Sequence, residues 1–416
     1  MQRTDNEAFK IFSAICLIAG TCIGGGMLAL PITAGISGFL PSTFIMVICW
    51  CAMTASALLL LEVNLWMHAG AHILTMSSAI LGPIGKIITW VVYLFICYAS
   101  IVAYAAAGGV LIGYAFAKWF GITIAKTWGS FLFIFLLGIV ITCGNRLVSR
   151  VNSTLFIAMI AAYIALIAAG IPEIKNEFLY HQKWSLSYLA IPLFLTSFSF
   201  QTMLPSLTPY LKRNSKALCI AIIGGTTLTF IVYLFWQGVI LGIIPLTGPH
   251  SLIEALESDT AVTQFMQAHV SNQWLAMVGE YFTFFALATS FLGMTLGLFD
   301  FLGDSLKIDS HGKGKIILGA LIIVPTAFFL AQFERVFVNA LDISGGLGDT
   351  IINGIIPVLM VWIGRYKLKF PDEFRIWGGK PLLVGLLVFF GGVLILAILI
   401  QTGQICSVLQ ACKAEA

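Results

Sequence analysis

Hydrophobic and polar positions separate along this chain in blocks of whole segments, not in a residue-by-residue alternation. Apolar windows of about nineteen residues predict eleven helices, near 11–30, 40–66, 85–117, 128–144, 151–171, 187–211, 216–242, 274–303, 315–332, 336–363 and 381–402. Roughly twenty apolar residues cross the hydrocarbon layer of a bilayer, so each run predicts a transmembrane span. The stretch "WMHAGAHILTMSSAILGPI", residues 66–84, breaks the pattern and predicts a loop with a short helix. His68 and His72 stand four apart on it, a spacing that suits a metal. No carboxylate or cysteine completes such a site, so a solvated loop is expected.

Composition agrees with the pattern. Of 416 residues, 59% are hydrophobic and only 10% charged, and the mean hydropathy is +1.00. Soluble chains carry about a quarter charged residues, so this one cannot face water on all sides. The net charge of +4 is spread over short loops and builds no nucleic-acid surface. With a cytoplasmic N-terminus, sixteen of the 22 Lys and Arg fall inside and six outside, the bias expected of inner-membrane proteins. The long outside loop 243–273 holds Glu254, Glu257 and Asp259 and no Lys or Arg. An odd number of spans then places the C-terminus in the periplasm.

The first apolar run lacks a cleavage site and predicts a span, not a removed leader. Both tails are too short to fold alone, and no feature calls for an obligatory protein partner. Seven of the nine cysteines (Cys16, Cys22, Cys49, Cys51, Cys97, Cys143, Cys219) lie in apolar runs, where they act as small hydrophobic filler. Cys406 and Cys412 are close enough in the tail to pair.

Two spans contradict their own helical pattern. "GTCIGGGMLALP", residues 20–31, sets Gly24, Gly25, Gly26 and Pro31 inside the first. Each such glycine weakens a helix by about 1 kcal/mol relative to alanine, and freed backbone groups in lipid cost several more unless satisfied. Small residues at four-residue spacing, Gly20 and Gly24, also suit close helix packing, which leaves the first span ambiguous. The sixth, "LAIPLFLTSFSFQTMLPSLTPYL", settles it with Pro192, Pro205, Pro209 and a polar centre of Thr196, Ser197, Ser199, Gln201 and Thr202. Interrupted spans at matching places in two halves point to a transporter's midplane site. The expected fold is therefore an all-α polytopic membrane protein of the LeuT type. It has an inverted five-plus-five repeat (about 11–171 and 187–363), broken first and sixth helices, and a peripheral eleventh span near 381–402.

Such breaks have a chemical use. The half-helix that starts near Met27 presents free N–H groups and a positive dipole end, which suit a carboxylate. Unwound carbonyls, including those near Ser199 and Phe200, suit an ammonium. A site offering both takes a zwitterion, so an amino acid is the expected cargo.

Four stretches, "LIAGTCIGGGMLALP", "SFSFQTMLPSL", "FFALATSFLGMTLGLFDFLGDSLK" and "FRIWGGKPL", resemble the bacterial aromatic amino acid permeases, the tryptophan- and tyrosine-specific symporters of the hydroxy and aromatic amino acid permease family. The resemblance runs from the first span to the eleventh. It implies proton-coupled uptake of an aromatic amino acid, without a cofactor, and places the substrate carboxylate on Gly24, Gly25 and Gly26. Several relatives read Phe-Gly-Phe-His where this chain has Ser199 and Gln201 at the Gly and His positions. Glutamine carries no proton, so a coupling role at that position is lost or moved. Its presence resembles the tyrosine branch, with tryptophan or another neutral amino acid as the alternative cargo.

Candidate residues follow. Thr21 flanks the glycines, and Phe194, Phe198 and Phe200 with Tyr98 and Tyr104 are expected to wall a ring-sized pocket, although most of 32 phenylalanines must face lipid or pack. Gln201 or Thr202 offers a partner for a substrate hydroxyl. Acids within spans are functional suspects, here Glu62, Glu280, Asp300, Asp304 and Asp342. Glu62 has no base nearby in sequence, which suits a proton carrier unless a loop base pairs with it. Asp300 and Asp304 suit caps or gate pairs near Lys307, and Asp342 an outer gate. Thr289 and Ser290 match the place where sodium-coupled relatives bind an ion, though such hydroxyls also bond within their helix.

Other classes fit less well. A membrane enzyme would cluster its catalytic groups, yet His68, His72, His181, His250, His269 and His311 are scattered in loops. "GTCIGGGML" lacks the strand and GK[ST] of a phosphate loop, and no filter repeat of a channel is present.

Overall fold

The computed structural model describes residues 2–68, 71–142, 145–258, 260–270, 273–308, 312–332, 337–371, 374–408 and 410–411. Asp259, His311 and the Cys406–Cys412 pairing fall on or depend on residues outside these, as does Cys143.

Apolar helices follow one another in the order the hydropathy pattern predicts. Among the described residues nine are long and apolar enough to span a bilayer. A tenth is the bent pair Glu7–Cys22 and Gly25–Gly35, and a shorter helix, Lys126–Thr142, occupies the place of the fourth span. The second span is Phe39–Trp66, the third Ile73–Phe120, the fifth Asn145–Gly170, the seventh Ser215–Ile243 and the eighth Gln273–Leu306. Gly312–Gln332 is the ninth and Gly379–Gln401 the eleventh. The expected loop 66–84 is partly helical: Ile73 already opens the third span, which turns sharply at Gly82 (φ 75°, ψ −163°). Glycine tolerates that φ, and Pro83 keeps the residue before it out of the α region.

The first span bends by 57° where Gly24 is extended. The sixth is split into Ile191–Ser197 and Leu204–Tyr210, with residues 198–200 outside any helix and a short 3-10 turn at Gln201–Met203. Pro192 and Pro205 occupy the first turns of the two halves, where a missing N–H costs nothing. The freed backbone groups are met from the seventh and eighth spans. The Tyr233 hydroxyl lies 2.6 Å from the Cys22 carbonyl and 2.7 Å from that of Ser197, and its one proton serves either break. Trp236 Nε1 donates to Met27 O at 2.9 Å, and Gly25 N–H donates to Ser290 Oγ at 2.8 Å.

The tenth span changes pitch along its length. It is α-helical over Phe337–Ile343, a π-helix over Ser344–Ile355, and α-helical again over Ile356–Ile363. Its glycines allow close approach: a Cβ on Gly345 would strike the Pro192 carbonyl, and one on Gly348 the Ile96 side chain. This π stretch packs against the first half of the sixth span and against the third and eleventh.

Glu62 is not the unpaired acid that sequence proximity suggests. Arg365, 303 residues on at the end of the tenth span, clasps it from both sides, with Nε donating to Oε1 at 2.6 Å and Nη2 to Oε2. Both side chains are 1% exposed. Ile376 N–H also donates to Oε2 at 3.2 Å, which ties the connection to the eleventh span onto the second.

One end of the bundle is closed. Lys183 N–H donates to Ser37 O, Lys175 N–H to Gly242 O, and His181 Nε2 bonds Ile36 O. The segment between the fifth and sixth spans thus lies over the ends of the first and seventh, and Leu252 packs where a Gly35 side chain would stand.

Candidate functional site

A cavity of about 1020 Å³ joins the two breaks. Gly24, Gly25 and Gly26 border it from the first span and Thr196, Ser197, Ser199 and Thr202 from the sixth. Tyr93, Cys97, Ser100 and Tyr104 of the third span, Thr289 and Ser290 of the eighth, and Asp349 and Asn353 of the tenth complete it. Phe9, Phe12, Ser13, Asn152, Ser153 and Tyr210 continue the lining away from the breaks, so the cavity reaches the N-terminal end of the bundle, opposite the closed end.

Close approach explains the glycines. A Cβ on Gly24 would collide with Ser290 Oγ, and one on Gly25 would lie 2.5 Å from Cδ1 and Cε1 of the Tyr104 ring. Gly20 faces the Phe156 ring at 2.6 Å by the same construction. The close-packing reading therefore holds for Gly20, while Gly24–Gly26 belong to the break. Gly25 and Gly26 open the second half-helix, so their N–H groups are among its first-turn donors. Thr21 lines the cavity too, with its hydroxyl on Leu17 O at 2.8 Å.

The expected carbonyl partners for an ammonium are mostly engaged. Those of Cys22 and Ser197 face Tyr233, and Phe200 O accepts from Met203 N–H at 2.9 Å.

Several expected wall residues point elsewhere. Tyr98 lies off the cavity and donates to Leu321 O of the ninth span at 2.7 Å. Phe198 is buried against Tyr233, with ring centroids 5.2 Å apart, and Phe194 and Phe200 are fully buried outside the lining. Gln201, also fully buried, accepts from Phe200 N–H at 2.9 Å and turns its amide towards Met53 O of the second span. It caps the break and does not reach the cavity. On a broken helix the side chains no longer follow the 3.6-residue period, so neighbours in "SFSFQT" face different ways.

The candidate coupling groups scatter. Glu280 pairs with Lys118 at 3.3 Å on a partly exposed surface. Asp300 and Asp304 are exposed. Thr289 bonds within its own helix, to Phe285 O at 2.8 Å, and Ser290 is held by Gly25 N–H. Asp342 does not line this cavity; it borders a small one of about 60 Å³, beside Pro192 and towards the closed end.

Asp349 is the acid the sequence reading passed over. It is 1% exposed and lines the cavity. Its Oδ1 accepts from Ser199 Oγ at 2.7 Å and from Asn353 Nδ2 at 2.7 Å, and Asn353 also donates to Ser199 Oγ at 2.8 Å. Its Oδ2 is buried without a hydrogen-bond partner. The signal was present, because an acid inside an apolar run is a functional suspect and Asn353 stands one turn away.

Two helices broken beside one cavity, with first-turn amides and polar side chains turned into it, define a LeuT-type membrane transport protein. Residues 7–399 match the tryptophan/tyrosine permease family, and the chain belongs to that family. It is 32% identical over 395 residues to the tyrosine-specific transport system 1 of Haemophilus influenzae, covering 94% of this chain and 96% of that one. It is 30% identical over 407 residues to the tryptophan-specific transport protein of the same organism, covering 95% and 96%. The low affinity tryptophan permease of Escherichia coli is 29% identical over 92% of this chain and 94% of its own. The fold is shared with MhsT, solved in complex with L-phenylalanine, at a TM-score of 0.53 and 14% identity over 93% of this chain and 97% of that one.

Proposed function

We propose that this protein carries an aromatic amino acid, tyrosine in preference to tryptophan, into the bacterial cytoplasm in symport with protons. The observation that carries the reading is the cavity at the paired breaks. Its lining joins the first-turn backbone at Gly26, the ring of Tyr104 and a buried acid. Known ligand pockets fall at roughly 300–1000 Å³, so about 1020 Å³ holds one amino acid and its way out. The substrate carboxylate sits at the N-terminus of Gly25–Gly35. The phenol of tyrosine finds hydroxyl and amide partners in Thr202, Ser153 and Asn152 on the same lining.

Proton coupling is favoured over sodium because the Thr289 hydroxyl donates into its own helix and Ser290 holds Gly25. The excess of Lys and Arg in the segments at the open end supports a cytoplasmic opening, so we read this as the inward-facing form, from which one bundle rocks to expose the other side.

Reconstituted protein should accumulate labelled tyrosine when an inward pH gradient is imposed, without sodium, and unlabelled tyrosine should compete better than tryptophan. Accumulation that needs a sodium gradient and ignores pH would remove the proton reading. Preferential competition by tryptophan would reverse the substrate assignment.

A further inference from the structure

We infer that Asp349 is the group that carries the coupling proton, reached from the closed end through Asp342. This rests on the transport reading above and deepens it. Among the described residues of the cavity lining, Asp349 is the sole acid and no Lys, Arg or His accompanies it. A buried carboxylate with one unpartnered oxygen and no cation beside it is costly while charged, and a proton on Oδ2 removes that cost.

The groups around Asp349 leave it that role. The third span faces it with Tyr104 and Cys97. The second span carries Glu62, already clasped by Arg365. The first half of the sixth span, Ile191–Ser197, holds no titratable side chain. On the eleventh, Lys380 lies over the Tyr366 ring at 5.1 Å.

The route is drawn by unpartnered atoms. Asp342 Oδ1, Ser344 Oγ, Asp349 Oδ2 and Asn353 Oδ1 are all buried without a hydrogen-bond partner, and all belong to one helix over twelve residues. Buried polar groups are nearly always satisfied, so four within twelve residues of one helix stand out, with Ser344 turned to a different face from Asp342. π-Helical turns are rare and frequently mark functional sites, and three of the four lie in the π stretch Ser344–Ile355. Asp342 and Asp349 are about 10 Å apart along the axis at helical rise. The two cavities share a border on the sixth span: Pro192 lines the smaller one and Thr196, one turn on, the larger.

Proton state and gate geometry are then joined at Ser199. The charged carboxylate holds Ser199 and Asn353 together. A proton on Asp349 weakens that hold and frees the second break to move, and its release into the open cavity restores it.

The test uses full-length protein in proteoliposomes, with two assays on each variant. Tyrosine–tyrosine exchange without a gradient needs the substrate site alone, whereas accumulation under a pH gradient needs coupling. For Asp349→Asn, gradient-driven accumulation should fall at least ten-fold further than exchange does, and should no longer respond to the imposed pH gradient. Asp342→Asn should keep coupling and slow uptake several-fold. Asp349→Asn that still concentrates tyrosine normally overturns the assignment. Asp349→Asn that elutes as folded protein but no longer exchanges also overturns it, and makes Asp349 a ligand of the substrate ammonium. Unmodified protein that exchanges no aromatic amino acid refutes the underlying transport reading instead. If Asp349→Asn does not fold, the unmodified protein is treated with a hydrophobic carbodiimide, which reacts with protonated carboxyls. Peptide mass mapping should find the adduct on Asp349, less of it at higher pH, and an unlabelled Asp349 overturns the proposal.

Discussion

Gly25→Ala is the sharpest perturbation of the site. The added methyl would stand 2.5 Å from two carbons of the Tyr104 ring and 3.3 Å from Leu287 Cδ2. Comfortable carbon contacts lie at about 3.5–4.0 Å, so the ring or the half-helix must shift by roughly 1 Å. Overpacking of this kind costs about 1–3 kcal/mol, and Tyr104 is buried between the third span and the break, 8% exposed. Two measurements follow: thermal stability in detergent by fluorescence-detected gel filtration, and tyrosine exchange in proteoliposomes. Stability should fall by that amount. Exchange should fall more than ten-fold, because the first-turn amides move with the half-helix. Tyr104→Leu removes the obstacle, so the double variant should be more stable than the sum of the two changes, by about 0.5–3 kcal/mol as for residues in contact. Gly25→Ala with unaltered stability and exchange, or strict additivity with Tyr104→Leu, would refute the close approach as the reason for glycine.

Glu62→Gln leaves the Arg365 charge buried and unpaired, and breaking such a pair costs about 3–5 kcal/mol. Yield and thermal stability should drop, while protein that survives keeps its pH-driven accumulation. Tyr233→Phe takes away the single hydroxyl that serves the Cys22 and Ser197 carbonyls. An unsatisfied buried group costs about 1–3 kcal/mol, to be read as lower thermal stability together with slower exchange. Lys118→Met removes one partner of a partly exposed pair with Glu280, worth about 0–1 kcal/mol, and initial uptake rates should be unchanged.

The apolar segments and the two breaks were legible in the sequence because each rests on local rules. Twenty apolar residues make a span, and "GGG" or clustered prolines in a span have to be satisfied by something outside it. The orientation of single side chains was not legible. At Phe198 and Gln201 the helix is interrupted, and which way each faces is decided by Tyr233 and Met53 from other spans. The partner of Glu62 lies at the far end of the tenth span, so sequence proximity could not supply it. Asp349 differs, since its type and place were plain. What the sequence could not show is that Ser199 and Asn353 converge on it, a contact that crosses 150 residues.

Tyr233 links the fold to the cycle that transport requires. Cys22 ends the first half of the first span and Ser197 the first half of the sixth, and both carbonyls lie within hydrogen-bonding distance of one hydroxyl on an unbroken helix. The two halves are therefore tethered to the seventh span at the depth of the breaks; the half beyond the first break is tied to the same span through Met27 O and Trp236, while Ser199, within the second break, is held by Asp349 of the tenth. A hydroxyl with one proton between two acceptors holds either carbonyl at no cost in switching, which suits a pivot better than a lysine would: a cation there would bind both and compete for the substrate carboxylate. Motion of the two breaks must then be correlated through the seventh span, and the carboxylate at Asp349 biases only the sixth. On this geometry the proton acts on one break, and Tyr233 transmits the change to the other.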